Sequence, residues 1–313
     1  HMLGYQANPN STHRGGRKAR ALLEKSREVI AECIGADSPN EIAFTASATA
    51  ACRFAINVMH IGWCSPYEHK AVYDHVDFQQ KFCVVDGNSF ARMLINNETG
   101  ERYDYEVKKD ATHSRVFTDA TAAVGQIPVN VKELGVEALA AGAHKFGGYP
   151  GIGFLYMKGG VSDDDTFPGT PPVALAGAMA DALRYRTEYM QEDMDRLAEN
   201  IYGLGKSIME IDGAHINTPI HSVQSILSVR FDGVNARELL VALDSLGVYA
   251  SAGAACSADS DKPSRVLLAS GLTEEQALST IRLSFCPETA KEDYDYVADA
   301  LRRAVAQLRQ LTQ

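Results

Sequence analysis

The 313 residues hold no apolar run that approaches the roughly 20 needed to cross a bilayer as a helix; stretches such as those around Phe154 to Met157 and Ile226 to Val229 are strand-sized. Positive charge is short as well. Thirty Lys and Arg stand against forty Asp and Glu, giving a net charge of -10, and no basic run is long enough to track a phosphate backbone, so neither a membrane nor nucleic acid is expected as a main partner. Cysteine is sparse and unpaired in sequence. Cys33, Cys52, Cys64, Cys83, Cys256 and Cys286 are scattered without a CxxC, which excludes a disulfide framework in a chain of this size and fits a reducing, cytoplasmic setting. With only 25 Gly and 11 Pro, 45% hydrophobic and 22% charged residues, the composition excludes a disordered, fibrous or low-complexity chain. No charged segment followed by an apolar one opens the sequence as a secretion signal would, and His1-Met2 is set aside from fold reasoning.

What is present is an alternation of helix and strand periodicities. Ala19, Leu22, Leu23, Val29, Ile30 and Cys33 recur at helical spacing from His13 onward, with Ser11 or Thr12 able to cap the start and Gly35 closing the end. Glu41 to Thr45 reads as a strand and Ala48 to Met59 as a helix. Strands are predicted at 82–85, 90–95, 115–118, 137–141 and 152–157, then a long helical stretch from Val173 to about Glu210. The last third holds a strand at 225–231, a helix at 236–246, a strand at 280–285 and a helix from Lys291 to Leu311. This order predicts an α/β fold, a large mainly parallel sheet domain over 13–190 and a smaller α+β domain over 191–313.

The residues most suggestive of chemistry lie in Arg115 to Gln126 (RVFTDATAAVGQ) and Ala138 to Gly153 (ALAAGAHKFGGYPGIG). An acid ending one buried strand and a His-Lys pair following the next would meet at the carboxyl edge of the sheet, where open α/β folds bind ligands. That pairing suits pyridoxal phosphate, whose aldehyde needs a lysine (Lys145) and whose ring nitrogen needs an acid (Asp119) to stay protonated as an electron sink. In isolation Asp119 also reads as a turn residue and Lys145 as a solvated charge. The glycines at 142, 147, 148, 151 and 153 favour the first reading, because they let backbone approach a ligand closely. Thr49 opens a predicted helix, where free N–H groups and the helix dipole attract phosphate; the same position also reads as a plain cap.

Taken together, the motifs resemble those of the cysteine desulfurases, within the class V aminotransferase group of fold-type I pyridoxal phosphate enzymes. The resemblance rests on Asn8-Pro9-Asn10-Ser11-Thr12-His13 with Gly16-Arg17 and Ala19-Arg20, on Phe44 to Thr49, and on Glu68-His69-Lys70-Ala71-Val72. It continues through Asn96-Asn97-Glu98-Thr99-Gly100, Asp119-Ala120-Thr121, Ala143-His144-Lys145, Ser251 to Ser257 (SAGAACS) and Ile281-Arg282-Leu283-Ser284, in the family's order.

The resemblance implies roles. Lys145 matches the Schiff-base lysine and proton shuttle, Asp119 the partner of the pyridine nitrogen, and His69 the imidazole stacked on the ring. Thr49, His144 and Thr170 match positions on the phosphate side, the last through a retained Gly169-Thr170 that reaches the neighbouring subunit in a homodimer. Asn97 matches the contact to the cofactor's phenolic oxygen, while Asn8 and Arg282 match the substrate-binding positions, Arg282 gripping a carboxylate bidentately. Cys256, on a loop of small residues, resembles the persulfide-forming cysteine of the group I enzymes, a thiol able to take sulfur and hand it on. The sequence departs from the family at Ala50 (for Glu), Ala122 (for Gln), Gly142 (for Ser) and Asp163 to Thr170, which stands for a glycine-rich segment. The function implied is conversion of L-cysteine to L-alanine with transfer of sulfur to an acceptor such as an Fe-S scaffold protein. Its rivals are another pyridoxal phosphate lyase or transaminase of the group, in which Cys256 is a bystander, and a non-catalytic homologue serving as an interaction subunit.

Overall fold

The computed structural model describes residues 7–76, 78–79, 89–103, 115–167, 169–253 and 262–311. The chain divides into two compact units: His1–Leu94 with Tyr103–Met190, and Ile95–Arg102 with Gln191–Gln313.

In the first unit helix α1 (Arg14–Ile34) leads to strand β1 (Ile42–Thr45), helix α2 (Ala48–Met59), β2 (Trp63–Cys64), the short α3 (Lys70–Tyr73), β3 (Phe78–Gln79) and β4 (Phe90–Ala91). There follow β5 (Val116–Asp119), α4 (Val131–Leu134), β6 (Ala138–Gly142), β7 (Gly153–Met157), α5 (Asp163–Thr166) and α6 (Val173–Glu188). The strands form one sheet in the order β1-β7-β6-β5-β4-β2-β3. β3, β2, β4, β5 and β6 run parallel, and β7 lies antiparallel between β6 and β1. The carboxyl ends of β1, β2, β4, β5 and β6 therefore share one edge with the amino end of β7. Four of the strands, β1, β5, β6 and the first four residues of β7, are buried throughout, which is why they read as near-continuous apolar runs. α2 packs Ala51, Cys52, Ala55, Ile56 and Met59 into a cluster with Phe117, Ala138, Ala140 and Leu155.

The second unit opens with α7 (Met190–Met209), then β8 (Ala214–Ile216), β9 (Ile226–Phe231), α8 (Ala236–Ser245), α9 (Arg265–Ala269), α10 (Glu274–Leu278), β10 (Thr280–Ser284) and α11 (Lys291–Leu311). Its sheet is antiparallel in the order β10-β9-β8. Leu204 and Ile208 of α7, Leu239 and Leu243 of α8 and Leu301 and Val305 of α11 close over Val229, Phe231 and Ile281. Side chains of this size contribute about 1.5–3 kcal/mol each when fully buried.

Several expectations need adjustment. α1 is capped by the His13 imidazole, whose Nδ1 accepts the Gly16 N–H at 3.2 Å, and not by Ser11 or Thr12. The strand expected at 90–95 is regular only at Phe90–Ala91; beyond it Arg92 N and Leu94 N still donate to the Phe117 and Asp119 carbonyls of β5 at 3.1 and 3.2 Å, while the Met93 N–H between them is taken by the Glu68 carboxylate at 2.7 Å. The helical stretch from Val173 is two helices, interrupted at Tyr189. The strand expected at 82–85 lies outside the described residues.

Candidate active site

The parallel pairing of β5 with β6 sets Asp119 opposite Ala140, and β6 runs on to a single tight helical turn, Ala143–Lys145. The acid and the lysine thus leave neighbouring strands at the same sheet edge. Asp119 is only 6% exposed, and its Oδ1 accepts the Thr121 N–H at 2.9 Å. The Cys52 thiol of α2 is fully buried; burial first, then the negative charges of Asp119 and Glu68, push it well above the usual cysteine range, so it stays protonated. Sequence reading treats Cys52 as a small apolar residue, since nothing in the spacing links α2 to the end of β5.

His69 caps α3, its Nδ1 accepting the Ala71 N–H at 3.1 Å. With Nδ1 occupied as an acceptor, the proton of the neutral ring sits on Nε2. Burial lowers the His69 pKa most; Asp119 opposes that, while Lys70 and Lys145 add to it. His69 follows β2, which runs parallel with β4, β5 and β6, so it leaves the sheet at the edge from which Asp119 and Lys145 also emerge.

A second feature lies at the start of α2. Ser47, rather than Thr49, caps the helix, its side chain accepting the Ala50 N–H at 3.2 Å, and Thr49 stands at the second helical position. Two paired glycines, Gly142 and Gly153, lie against this helix end. A Cβ at Gly153 would come within 2.6 Å of the Ala141 carbonyl oxygen, 2.9 Å of Ala48 N and 2.9 Å of the Ser47 carbonyl carbon. At Gly142 it would meet Ala48 Cβ at 3.2 Å and the His144 ring at 3.3 Å. The absence of side chains at both positions lets β6 and β7 approach the helix amino terminus, whose free N–H groups favour an anion. His144, beside this cradle, has its pKa lowered by burial and then by Lys145.

The remaining candidates form separate pairs. Asn8 donates from Nδ2 to Thr170 Oγ1 at 3.4 Å, both side chains being exposed. In the second unit Arg282 of β10 donates from Nη1 to the Asn97 carbonyl oxygen at 2.9 Å. Ala122, where the family pattern has Gln, supplies no side-chain donor. Cys256 lies outside the described residues.

The group formed by Asp119, Lys145, His69 and the glycine-lined helix end suits pyridoxal phosphate: an acid for the ring nitrogen, an amine for the aldehyde, an imidazole and an anion cradle. No described helix is long and apolar enough to cross a membrane.

The family model for aminotransferase class-V matches residues 1–81, 88–164 and 162–297. Among curated proteins, the cysteine desulfurase IscS of Pectobacterium carotovorum is 33% identical across 99% of this chain and 88% of its own length. That of Dictyoglomus turgidum is 32% identical across 97% of this chain and 89% of its own length. Among solved structures, a NifS-like protein superimposes with a TM-score of 0.87 at 27% identity, covering 98% of this chain and 94% of the other. The apo cysteine desulfurase of Thermococcus onnurineus NA1 shares the fold, with a TM-score of 0.79 at 20% identity over 98% of this chain and 89% of the other.

Proposed function

We propose that this chain, which belongs to the class-V aminotransferase family, is a pyridoxal phosphate-dependent cysteine desulfurase that converts L-cysteine to L-alanine and passes the sulfur on through Cys256. The observation that carries this reading is the convergence of Asp119, Lys145 and His69 with the glycine-lined start of α2 on one sheet edge, joined to near-full-length similarity to cysteine desulfurases.

Bound there, pyridoxal phosphate supplies an electron sink for charge that develops on the substrate's α-carbon. Asp119 would hold a proton on the ring nitrogen, its carboxylate oriented by the Thr121 N–H. Lys145 Nζ anchors the aldehyde and moves the proton at Cα. His69, whose pKa burial lowers and whose Nδ1 is taken by the Ala71 N–H, would offer its Nε2–H side to the cofactor and substrate. The N–H groups at the start of α2, with Thr49 and His144, receive the phosphate. Arg282 holds the substrate carboxylate, Asn8 and Asn97 orient substrate and cofactor, and Thr170 serves the phosphate of a partner copy in a homodimer.

The sulfur step balances without an external oxidant. The Cys256 thiolate attacks the substrate sulfur, the Cβ–S bond breaks with its electron pair left on carbon, and that carbon takes a proton to become the methyl of alanine. Cys256 then carries the persulfide, which an acceptor thiol, such as that of an Fe-S scaffold protein, removes. A reducing, cytoplasmic setting suits a thiol used in this way.

The test is spectroscopic. Purified protein mixed with pyridoxal phosphate should gain a visible band that borohydride abolishes and that Lys145→Ala never forms. Protein that stays colourless after reconstitution would overturn the reading.

A further inference from the structure

Residues Ile95–Arg102 make a tight loop within the second unit. Ile95 bridges Arg102, the Asn96 N–H donates to the Glu101 carbonyl at 2.8 Å, and Asn96 Oδ1 accepts the N–H groups of Glu98 at 2.8 Å and Thr99 at 3.0 Å. The loop is fastened outward, with Arg102 N donating to the His221 carbonyl at 3.0 Å and Val223 N to the Gly100 carbonyl at 2.9 Å. The backbone at Glu98 is therefore fixed before its side chain makes any contact.

That side chain is 6% exposed. Its Oε2 accepts a hydrogen bond from Ser264 Oγ at 2.5 Å. The same oxygen would lie 3.2 Å from a Cβ placed at Gly253, whose φ of +61° is itself a conformation that glycine adopts most readily. Burial raises the Glu98 pKa, and the Ser264 hydrogen bond, then Arg282 and Arg265, pull it back down. Burying a carboxylate is costly unless it is paired and hydrogen-bonded. Ser264, just after the segment 254–261 that contains Cys256, supplies that hydrogen bond, and the carboxylate lies close to where a side chain at Gly253, just before the segment, would stand. Gly253 precedes the segment and Ser264 follows it, and Ser264 also caps α9 by accepting the Leu267 N–H at 3.3 Å. Arg282 belongs to the same network, since its backbone pairs with Ser251, N to O at 2.6 Å and O to N at 3.1 Å, while its guanidinium holds the Asn97 carbonyl.

We propose that Glu98 is a positioning residue for sulfur transfer: its carboxylate holds Ser264, just after the segment that carries Cys256, and fills the space a side chain at Gly253, just before that segment, would need. This rests on the reading of Cys256 as the sulfur-accepting thiol. The brace acts on where the thiol starts from relative to the substrate carboxylate, not on the cofactor.

The test uses the holoenzyme with Ser264→Ala, Glu98→Leu, the double variant and Ser264→Thr. Leucine offers the Ser264 hydroxyl no acceptor, whereas the amide oxygen of a glutamine would still provide one. Misplacement of a reacting group by about 1 Å costs up to roughly a hundredfold, so Ser264→Ala and Glu98→Leu should each lower kcat for sulfide release at least about tenfold. KM for cysteine and the absorbance change on adding cysteine should stay as in the wild type. The loss in the double variant should fall well short of the product of the two single losses, because both remove the Glu98–Ser264 contact. Ser264→Thr, which keeps the hydroxyl, should recover most of the rate. Independently of activity, amide exchange at Leu267 and Leu268 should accelerate severalfold in Glu98→Leu, where Ser264 keeps its hydroxyl but loses its anchor. Multiplicative losses in the double variant, or unchanged kcat and exchange in Glu98→Leu, would overturn the brace. If Glu98→Leu does not fold, Ser264→Ala against Ser264→Thr decides on the same kcat and KM readout. Wild-type holoenzyme that binds pyridoxal phosphate but releases no sulfide would sink the desulfurase reading and the positioning role with it, while the exchange measurement would still report whether the contact exists.

Discussion

Gly153→Ala is the substitution whose consequence the structure fixes most tightly. The new methyl would sit 2.6 Å from the Ala141 carbonyl oxygen and 2.9 Å from both Ala48 N and the Ser47 carbonyl carbon. All three are backbone atoms and cannot rotate away. Ordinary carbon contacts lie near 3.5–4.0 Å, so the start of α2 must move off the sheet by roughly 0.5–1 Å. Overpacking of this kind costs about 1–3 kcal/mol. It also shifts the N–H groups offered to the phosphate, and loss of one hydrogen bond to a charged group, about 1.5–3 kcal/mol, corresponds to a roughly ten- to hundredfold weaker cofactor. The control is Gly62→Ala, where a Cβ would meet nothing within 4 Å; that variant should stay within about 1 kcal/mol of the wild type. Urea unfolding followed by the fluorescence of Trp63, the sole tryptophan, reads stability in the first unit, and titration with pyridoxal phosphate reads affinity. If Gly153→Ala and Gly62→Ala behaved alike in both assays, the account of the anion cradle would be refuted.

Other outcomes follow from the same contacts. Ser47→Ala removes the α2 cap and should cost about 1 kcal/mol in urea unfolding, with a parallel loss of cofactor affinity; an unchanged midpoint would contradict the cap. Asp119→Ala strips the acceptor from the Thr121 N–H and, by releasing the ring proton, should cut turnover at least about a hundredfold while a borohydride-reducible band can still form; unchanged turnover would mean the acid is not the ring partner. His69 has its pKa lowered by burial, so below the ordinary histidine value of about 6.5 the unfolded chain takes up the proton first. Stability should therefore fall as pH drops from about 6.5 to the folded pKa and level off beneath it. The urea midpoint against pH should show this slope in the wild type and a shallower one in His69→Gln.

Three long helices were legible to within a residue or two: the spacing of Ala19, Leu22, Leu23, Val29 and Ile30 marked α1, and the helices expected at 48–59 and from Lys291 to Leu311 are α2 and α11. Caps were less legible, since hydroxyls are the common choice and imidazoles serve at both His13 and His69. The break at Tyr189 carries no Gly or Pro to announce it. For the site, strand ends were readable because β5 and β6 are buried runs stopping at Asp119 and Gly142. The influence of the Asp119 charge on the buried Cys52 thiol, the packing of Gly153 on α2 and the link from Glu98 to Ser264 were not, because each joins positions far apart in the chain and leaves no local pattern.

The most direct measurement of the central claim is the stoichiometry of alanine and sulfide formed from L-cysteine with dithiothreitol, in wild type and Cys256→Ser, each loaded with pyridoxal phosphate. Serine offers no thiolate near neutral pH and cannot carry a transferable sulfur. The account predicts equal amounts of alanine and sulfide from the wild type, and loss of both in Cys256→Ser with an unaltered cofactor band. Full sulfide release by Cys256→Ser, or a wild type that binds the cofactor and yields no alanine from cysteine, would contradict it.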